Sequence, residues 1–364
     1  MRGGVAILVL AACSTHPRIS AETLRAQATR EEATLLKRVK VYDDPQLAEY
    51  LTKVTERVAA GAKVTVIADP TLGAFALPGG RMFVHTGLLS AVENEAQLAM
   101  ILAREAAHDP SSLEPRRSKA PMSTVALSPT AAALLSLDLR LTATAAIDGY
   151  GSDGERAADA EALRRLTAAG YDPREGADVF PILAASDGDR LELAEIFVYG
   201  NRDRMTERGE VWHELLPPAT RPGENAAGRA GELARRMRSV IRDNAALDIR
   251  AERFVLAQRQ LDRVIALDSN DAIAQLHYGE LYRLQSQRVE DPERTDHARR
   301  AIERYRRAAE LDPRYAEPFR QLALLHYQQG DRVHAREAFE RYLALAGDAP
   351  DARRIREYLA ILGQ

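Results

Sequence analysis

The last third of the chain repeats its apolar residues at a fixed interval of 34 positions. Three pairs share this spacing: Ala301 and Ala335, Tyr305 and Phe339, and Leu311 and Leu345. Leu267 precedes Leu311 by 44 positions, which is the same interval with ten extra residues. The insertion is the charged stretch near 287–296, which we expect to lie between two helices. A fixed period of this length predicts a stack of similar units, each of which buries its apolar face against the next.

A period of 34 residues is typical of tetratricopeptide repeats, in which each unit is a pair of antiparallel helices. The best unit runs from Ala316 to Pro350, with Gly330 at its turn and Phe339 between its helices. Residues 351–364 are predicted to form a capping helix, because the last unit must cover its apolar face. The repeats are interpreted as a concave surface for a protein partner. The alternative is a set of repeats that packs only against its neighbouring domain.

The first residues have the pattern of an export signal. Arg2 precedes the apolar run from Val5 to Leu10, and small residues lead to Cys13, the one cysteine of the chain. The sequence Leu-Ala-Ala-Cys resembles a bacterial lipobox, which implies cleavage before Cys13 and a lipid on its sulfur. The start also resembles that of enterobacterial lipoproteins, in which a residue other than Asp after the cysteine favours the outer membrane, and Ser14 occupies that position. We therefore expect an exported lipoprotein on the periplasmic face of that membrane. The alternative is a cytosolic chain with a chance apolar start.

Composition and hydrophobic pattern favour a mainly helical chain with a small β-sheet. Aromatic residues make up only 5% of a chain rich in Ala, Leu and Arg, which favours helix. Strand patterns are short and confined to residues 63–68, 74–77 and 81–85. The net charge of −3 provides no basic excess, so proteins that hold nucleic acid through phosphate contacts are excluded.

Turn and linker residues divide the chain. Pro217, Pro218 and Pro222 with Gly223 predict a linker between two domains. The predicted boundaries are a signal peptide at 1–12, a tether and first helix at 13–40, a central domain at 41–220, and the repeat domain with its cap at 226–364.

The central domain resembles metallopeptidase family forty-eight, the HtpX-like and BepA-like zinc endopeptidases. The resemblance rests on the stretch AFALPGGRMFVHTGLL at 74–89, on a Glu-x-x-x-Asp motif at 155–159 and on AAGYDP at 168–173. It implies a gluzincin-type metallopeptidase-like fold, followed here by the α-α solenoid of repeats. Relatives with an export signal and such repeats are periplasmic and act in outer-membrane protein quality control.

The same resemblance implies the site residues and shows where this chain departs from the family. The family uses a helical His-Glu-x-x-His motif, in which two histidines hold zinc and the glutamate activates its water. This chain has Arg104, Glu105 and His108 in the motif. Glu155 stands where the third zinc ligand belongs, and Asp159 where a carboxylate orients the first histidine.

Two arginines stand where the family has histidines near the metal. Arg104 replaces the first ligand, and Arg202 replaces the histidine of a Tyr-Gly-Ser-His-Pro sequence. A guanidinium has no lone pair to give to a metal, and its positive charge repels one. We therefore expect no cofactor, with Arg104 instead pairing with Glu155 and Asp159. Zinc is expected only if the site is rescued, and His85 is a candidate substitute ligand.

These features lead to three hypotheses about function. In the first, the domain binds unfolded or assembling envelope proteins without cutting them, and holds extended peptides at an edge strand formed by Ala74, Phe75, Ala76 and Leu77. In the second, the chain is an active zinc endopeptidase with Glu105 as general base and His108 and Glu155 as ligands. In the third, the chain is a scaffold whose repeats bind the partner, and the central domain has lost its function.

Overall fold

The computed structural model describes residues 20–108, 142, 151–184, 209, 210, 212, 216 and 226–363. The predicted signal peptide, Cys13, Arg202 and the proline linker lie outside the described residues. The side chain of Glu155 lies outside them as well. No helix in the described part of the chain is long and apolar enough to cross a lipid bilayer.

Helices and a small sheet alternate at the start of the described chain. Ser20 and Asp44 cap the first two helices by accepting hydrogen bonds from backbone N–H groups, as their positions before Ala21 and Pro45 predict. The elements as far as residue 184 are α1 (Ala21–Leu35), α2 (Pro45–Val58), β1 (Lys63–Ile67), β2 (Ala74–Leu77), β3 (Arg81–His85), α3 (Thr86–Ala91), α4 (Glu95–Ala107), α5 (Gly151–Ala168), α6 (Pro173–Ala177) and α7 (Val179–Ala184).

The three strands form one sheet in the order β1-β3-β2. β3 pairs with β1 in parallel and with β2 in antiparallel orientation, so β2 lies at an edge of the sheet. The tight connection between β2 and β3 places Gly79 and Gly80 at positive φ angles of 95° and 72°, which favour glycine. α3 follows β3 directly, and the sequence analysis did not predict it, because six residues are too few to show a helical period.

α4 is the central helix of this domain. It contacts α2, the sheet, α5 and α6, and its residues from Ala96 to Glu105 are buried without interruption. Glu95 in its first turn accepts hydrogen bonds from the hydroxyls of Tyr50 and Tyr171, and from Arg57. Tyr171 belongs to the AAGYDP sequence, so this motif ties the chain after α5 to the start of α4.

The rest of the described chain is helical, as predicted. Its elements are α8 (Ala226–Arg250), α9 (Phe254–Leu267), α10 (Ala272–Ser286), α11 (Glu293–Leu311), α12 (Ala316–Gln328), α13 (Arg332–Ala346) and α14 (Ala352–Leu362). The residues that the 34-residue register aligns are fully buried: Ala257, Ala301 and Ala335 in one position, and Leu261, Tyr305 and Phe339 in the other.

The structure corrects one detail of the repeat region. The ten-residue insertion was expected to lie between two helices, but only residues 287–292 do so. Its remaining residues extend α11 to 19 residues, against 14 in α9 and 15 in α13. Glu293 and Arg294 can begin the longer helix because both have good helix propensity and face the solvent.

The repeat helices and the central domain share one hydrophobic core. α8 packs along α3, and Asn244 on α8 is fully buried at that contact. The Asn244 side chain accepts a hydrogen bond from the Thr86 hydroxyl at 2.8 Å and donates one to Asp248 at 3.1 Å. The two parts therefore support each other and are not separate modules joined only by a linker.

Candidate functional site

The C-terminal end of α4 brings three polar residues into the interior. Arg104, Glu105 and His108 are all buried, although most residues of these types lie at protein surfaces. The helix ends at Ala107, and His108 is its C-cap with extended backbone angles (φ −63°, ψ 126°). The φ angle of His108 is still helical, so its side chain continues the face of α4, while its ψ angle turns the chain away after this residue.

Arg104 lies between two carboxylates. Its Nη1 donates to Oε1 of Glu105 at 2.8 Å, and its Nε donates to Oδ1 of Asp159 at 3.2 Å. Asp159 belongs to α5, so the guanidinium links the two helices across the interior. The sequence analysis expected the contact with Asp159 but not the one with Glu105, because adjacent helical residues normally point in different directions.

Burial makes this ion cluster costly to disturb. The Arg104 side chain is 2% exposed, and both carboxylate partners are buried with it. Removing one member of such a cluster leaves an uncompensated charge in the interior, which costs about 3–5 kcal/mol. The cluster is therefore a structural bond between α4 and α5 as well as a feature of the site.

The described residues do not fit a catalytic zinc ion. A catalytic site needs three protein ligands with lone pairs and an open position for water. Here the first motif position holds a cation that donates hydrogen bonds, and the motif glutamate accepts one of them. The guanidinium thus supplies positive charge to both carboxylates.

A cavity of about 440 Å³ opens beside this cluster. It is lined by the end of α2 and its following loop (58–62), by Ala76 and Leu77 of β2, and by Glu105, His108 and Arg165. Arg165 was not singled out in the sequence. It reaches the cavity from α5, four residues from Glu161, which accepts a hydrogen bond from its Nε at 2.7 Å.

The predicted edge strand lies at the cavity, but its side chains are buried. Ala74, Phe75, Ala76 and Leu77 form β2, and the Phe75 ring stacks on that of Phe83 with centroids 4.9 Å apart. Ala76 and Leu77 line the cavity near Glu105. β2 therefore lies at the edge of the sheet and beside the cavity. The binding of an extended peptide to this strand stays a prediction.

His85, the last residue of β3, is not among the residues that line this cavity. Its Nδ1 lies 2.9 Å from the Thr71 hydroxyl and 3.7 Å from Asp69. Burial lowers the pKa of the imidazole, while the nearby Asp69 charge acts in the opposite direction. In this position His85 fastens the β1–β2 connection, and it does not join Glu105 and His108.

Comparison with known proteins agrees with this architecture. Residues 43–218 match the model of peptidase family M48, and residues 293–360 match a tetratricopeptide-repeat model. The chain therefore carries a peptidase family M48 domain followed by tetratricopeptide repeats, and the predicted family and fold class are confirmed.

Three curated relatives match parts of the chain. The mitochondrial metalloendopeptidase OMA1 of Schizosaccharomyces pombe is 41% identical over 66 residues, and that of Danio rerio is 44% identical over 62 residues. A putative beta-barrel assembly-enhancing protease of Vibrio cholerae is 28% identical over 167 residues, which are 40% of this chain. The matched segments span 20%, 13% and 34% of these relatives, so each likeness covers a minority of the relative's length.

Proposed function

We propose that this chain is a lipid-anchored cell-envelope protein that binds unfolded or assembling envelope proteins without cutting them. One observation carries the proposal: Arg104 occupies the first position of the metal-binding motif and is bonded to both Glu105 and Asp159. The M48 domain would then keep its fold and its binding cavity while lacking a metal-activated water.

The state of Glu105 supports the loss of proteolysis. As general base, this carboxylate would have to take a proton from a metal-bound water. Its Oε1 accepts a hydrogen bond from the Arg104 guanidinium instead, so a cation already engages this oxygen. Both members of the Arg104–Glu105 pair are buried, so separating them would leave uncompensated charge in the interior at a large cost in stability.

The cavity supports a binding role. Its volume of about 440 Å³ is within the range of about 300–1,000 Å³ that is usual for ligand pockets. Its lining combines small apolar residues with the charged groups of Glu105 and Arg165, which suits a short stretch of extended polypeptide. Tetratricopeptide repeats support a protein partner on the C-terminal part.

The envelope setting is part of the same proposal. It is supported by the predicted lipid on Cys13 and by the likeness to a relative whose name refers to β-barrel assembly. Unfolded outer-membrane proteins are therefore the clients that we propose for the cavity.

The test is binding and cleavage of casein, an unfolded protein, by the purified chain with and without added zinc. We expect binding without cleavage, and at least roughly ten-fold weaker binding in Ala106→Phe, which fills the cavity. Ala266→Phe on an exposed face of α9 is the matched control and should bind as the native chain does. Cleavage that chelator and Glu105→Gln both abolish would overturn the proposal, as would unchanged binding in Ala106→Phe.

Point variants are the right tools because of the shared core. Deleting either the repeats or the M48 domain would expose the apolar contact between α8 and α3 and remove part of the shared core. A loss of binding after such a deletion would not show which part holds the client.

A further inference from the structure

Two histidines and an aspartate meet at the turn of the last complete repeat, far along the chain from the M48 domain. His326 lies near the end of α12, Asp331 caps the start of α13, and His334 lies in the first turn of α13. Among the described residues, they form a group whose possible ligand atoms all lie within 4.8 Å of one another.

The two imidazoles converge on one carboxylate oxygen. Nδ1 of His334 lies 2.7 Å from Oδ2 of Asp331, and Nδ1 of His326 lies 3.2 Å from the same oxygen. The rings are stacked, with centroids 5.1 Å apart and an angle of 29° between their planes. His326 is only 6% exposed, and its Nδ1 contacts the carboxylate without the geometry of a hydrogen bond. Nδ1 of His326 therefore points at the Asp331 carboxylate but has no hydrogen bond with it.

We propose that His326, Asp331 and His334 bind a single zinc ion at this turn. Two imidazole nitrogens and one carboxylate oxygen are a usual ligand set for zinc, with water as the fourth ligand. The same set disfavours calcium and magnesium, which prefer oxygen ligands. The proposal does not depend on the function proposed for the M48 domain.

The ordinary structural role of Asp331 is compatible with this site. Its Oδ1 accepts the hydrogen bond from the His334 backbone N–H, at 3.3 Å, that caps α13. The imidazoles approach its other oxygen, so capping and metal binding use different atoms. Arg306 lies close enough to act electrostatically on His326, and its positive charge would weaken the binding of a dication without blocking it.

A bound ion would fasten the two helices of this repeat to each other. α12 and α13 otherwise meet through apolar contacts such as Ala323, Ala335 and Phe339. Because His334 is 54% exposed on its side chain, an ion could enter from solvent without any opening of the core.

The test is titration of the full chain with zinc chloride in a calorimeter, using protein without a histidine tag. We expect one site per chain in the native protein and in two controls, His297→Ala and His108→Ala. His334→Ala should weaken binding by more than the roughly 10–100-fold that follows loss of a group which only orients a ligand. Because His334 is largely exposed, this variant should fold normally.

Asp331→Asn provides an independent check. Asparagine caps helices as well as aspartate does, so α13 keeps its start while the site loses its negative ligand. We expect this variant to lose the rise in melting temperature that zinc gives the native chain. The proposal is overturned if the native chain binds no zinc, if His334→Ala and Asp331→Asn bind it like the native chain, or if His108→Ala abolishes the binding.

Discussion

Arg104 donates a hydrogen bond to Glu105, its immediate neighbour in the chain, and thereby occupies the carboxylate that would serve as general base. The same guanidinium reaches Asp159 on α5. One substitution in the motif can therefore remove a metal ligand, engage the base and replace the charge that a metal would supply. This relationship is the basis of the proposal that the M48 domain binds clients without cutting them.

Replacing Arg104 with methionine should destabilise the whole chain. Arg104→Met keeps much of the side-chain volume but leaves the carboxylates of Glu105 and Asp159 buried without their cation. We expect the free energy of unfolding to fall by about 3–5 kcal/mol in urea titrations. Arg164→Met is the matched control, since that side chain is 71% exposed on α5, and it should change stability by less than about 1 kcal/mol. A loss in Arg104→Met no larger than in the control would mean that the ion cluster has no structural role.

The contact between Arg104 and Asp159 should appear as energetic coupling between α4 and α5. A double-mutant cycle with Arg104→Met and Asp159→Asn isolates this pair from the rest of the cluster. We expect a coupling energy of about 0.5–3 kcal/mol, with the double variant more stable than the sum of the single losses predicts. Strict additivity would contradict the contact.

Asn244 should join the repeats to the M48 domain. Asn244→Ala removes the hydrogen bond that the Thr86 hydroxyl donates and the one that Asp248 accepts. Asn244 is fully buried, so water cannot replace its side chain. We expect a loss of about 1–3 kcal/mol, seen in calorimetry as a lower temperature for one common transition. Asn270→Ala at an exposed turn should have little effect. A native chain that melts in two independent steps would contradict the shared core.

His277 on α10 should make the chain sensitive to acid. Burial lowers its pKa from about 6.5 to about 4, with Arg242 and Arg250 acting in the same direction and Asp243 and Asp271 opposing them. Because the unfolded chain takes up the proton first, stability is complete above about pH 6.5 and falls as the pH drops toward 4. The loss is roughly 3 kcal/mol over this range.

The measurement is the free energy of unfolding of the native chain and of His277→Gln between pH 7 and pH 4, with a chelator present. His277→Gln should flatten this part of the pH dependence, whereas His297→Gln should retain it. Equal slopes in the native chain and in His277→Gln would show that other groups cause the acid sensitivity.

A lipid on Cys13 should determine the membrane to which the chain is attached. In Gram-negative cells, we expect the native chain in the outer-membrane fraction and Cys13→Ser in no membrane fraction, because the lipid can no longer be attached. Ser14→Asp is the matched control: it keeps the lipid and should move the chain to the inner membrane. Membrane attachment of Cys13→Ser equal to that of the native chain would contradict a lipid anchor.

Much of the fold was predictable because it depends on local signals. Ser20 and Asp44 are residue types that favour the start of a helix, and each caps the helix that it precedes. The 34-residue period aligned Ala301 with Ala335, and it aligned Ala257 with Ala301 across the ten-residue insertion, because these buried positions between helices favour small residues. The short α3 had no such signal.

The site was predictable only in part, because its decisive contacts depend on tertiary packing. The resemblance to the peptidase family pointed to Arg104, Glu105 and Asp159, but not to the hydrogen bond between the first two. Arg165 reaches the cavity only because α5 packs beside α2, and nothing in its neighbourhood along the chain indicates this. His326 and His334 are separated by the turn at Gly330, so the helical spacing used elsewhere did not link them.

The most direct test is the zinc content of the Arg104 site. It is measured in a chain whose proposed zinc site at His326, Asp331 and His334 has been removed. A chain with His334→Ala, and the same chain with Arg104→His added, would be dialysed and analysed for zinc and for casein cleavage. We predict no retained zinc and no cleavage with Arg104, and one zinc with chelator-sensitive cleavage once histidine replaces it. Stoichiometric zinc in the chain that keeps Arg104, lost on further substitution His108→Ala, would contradict the account.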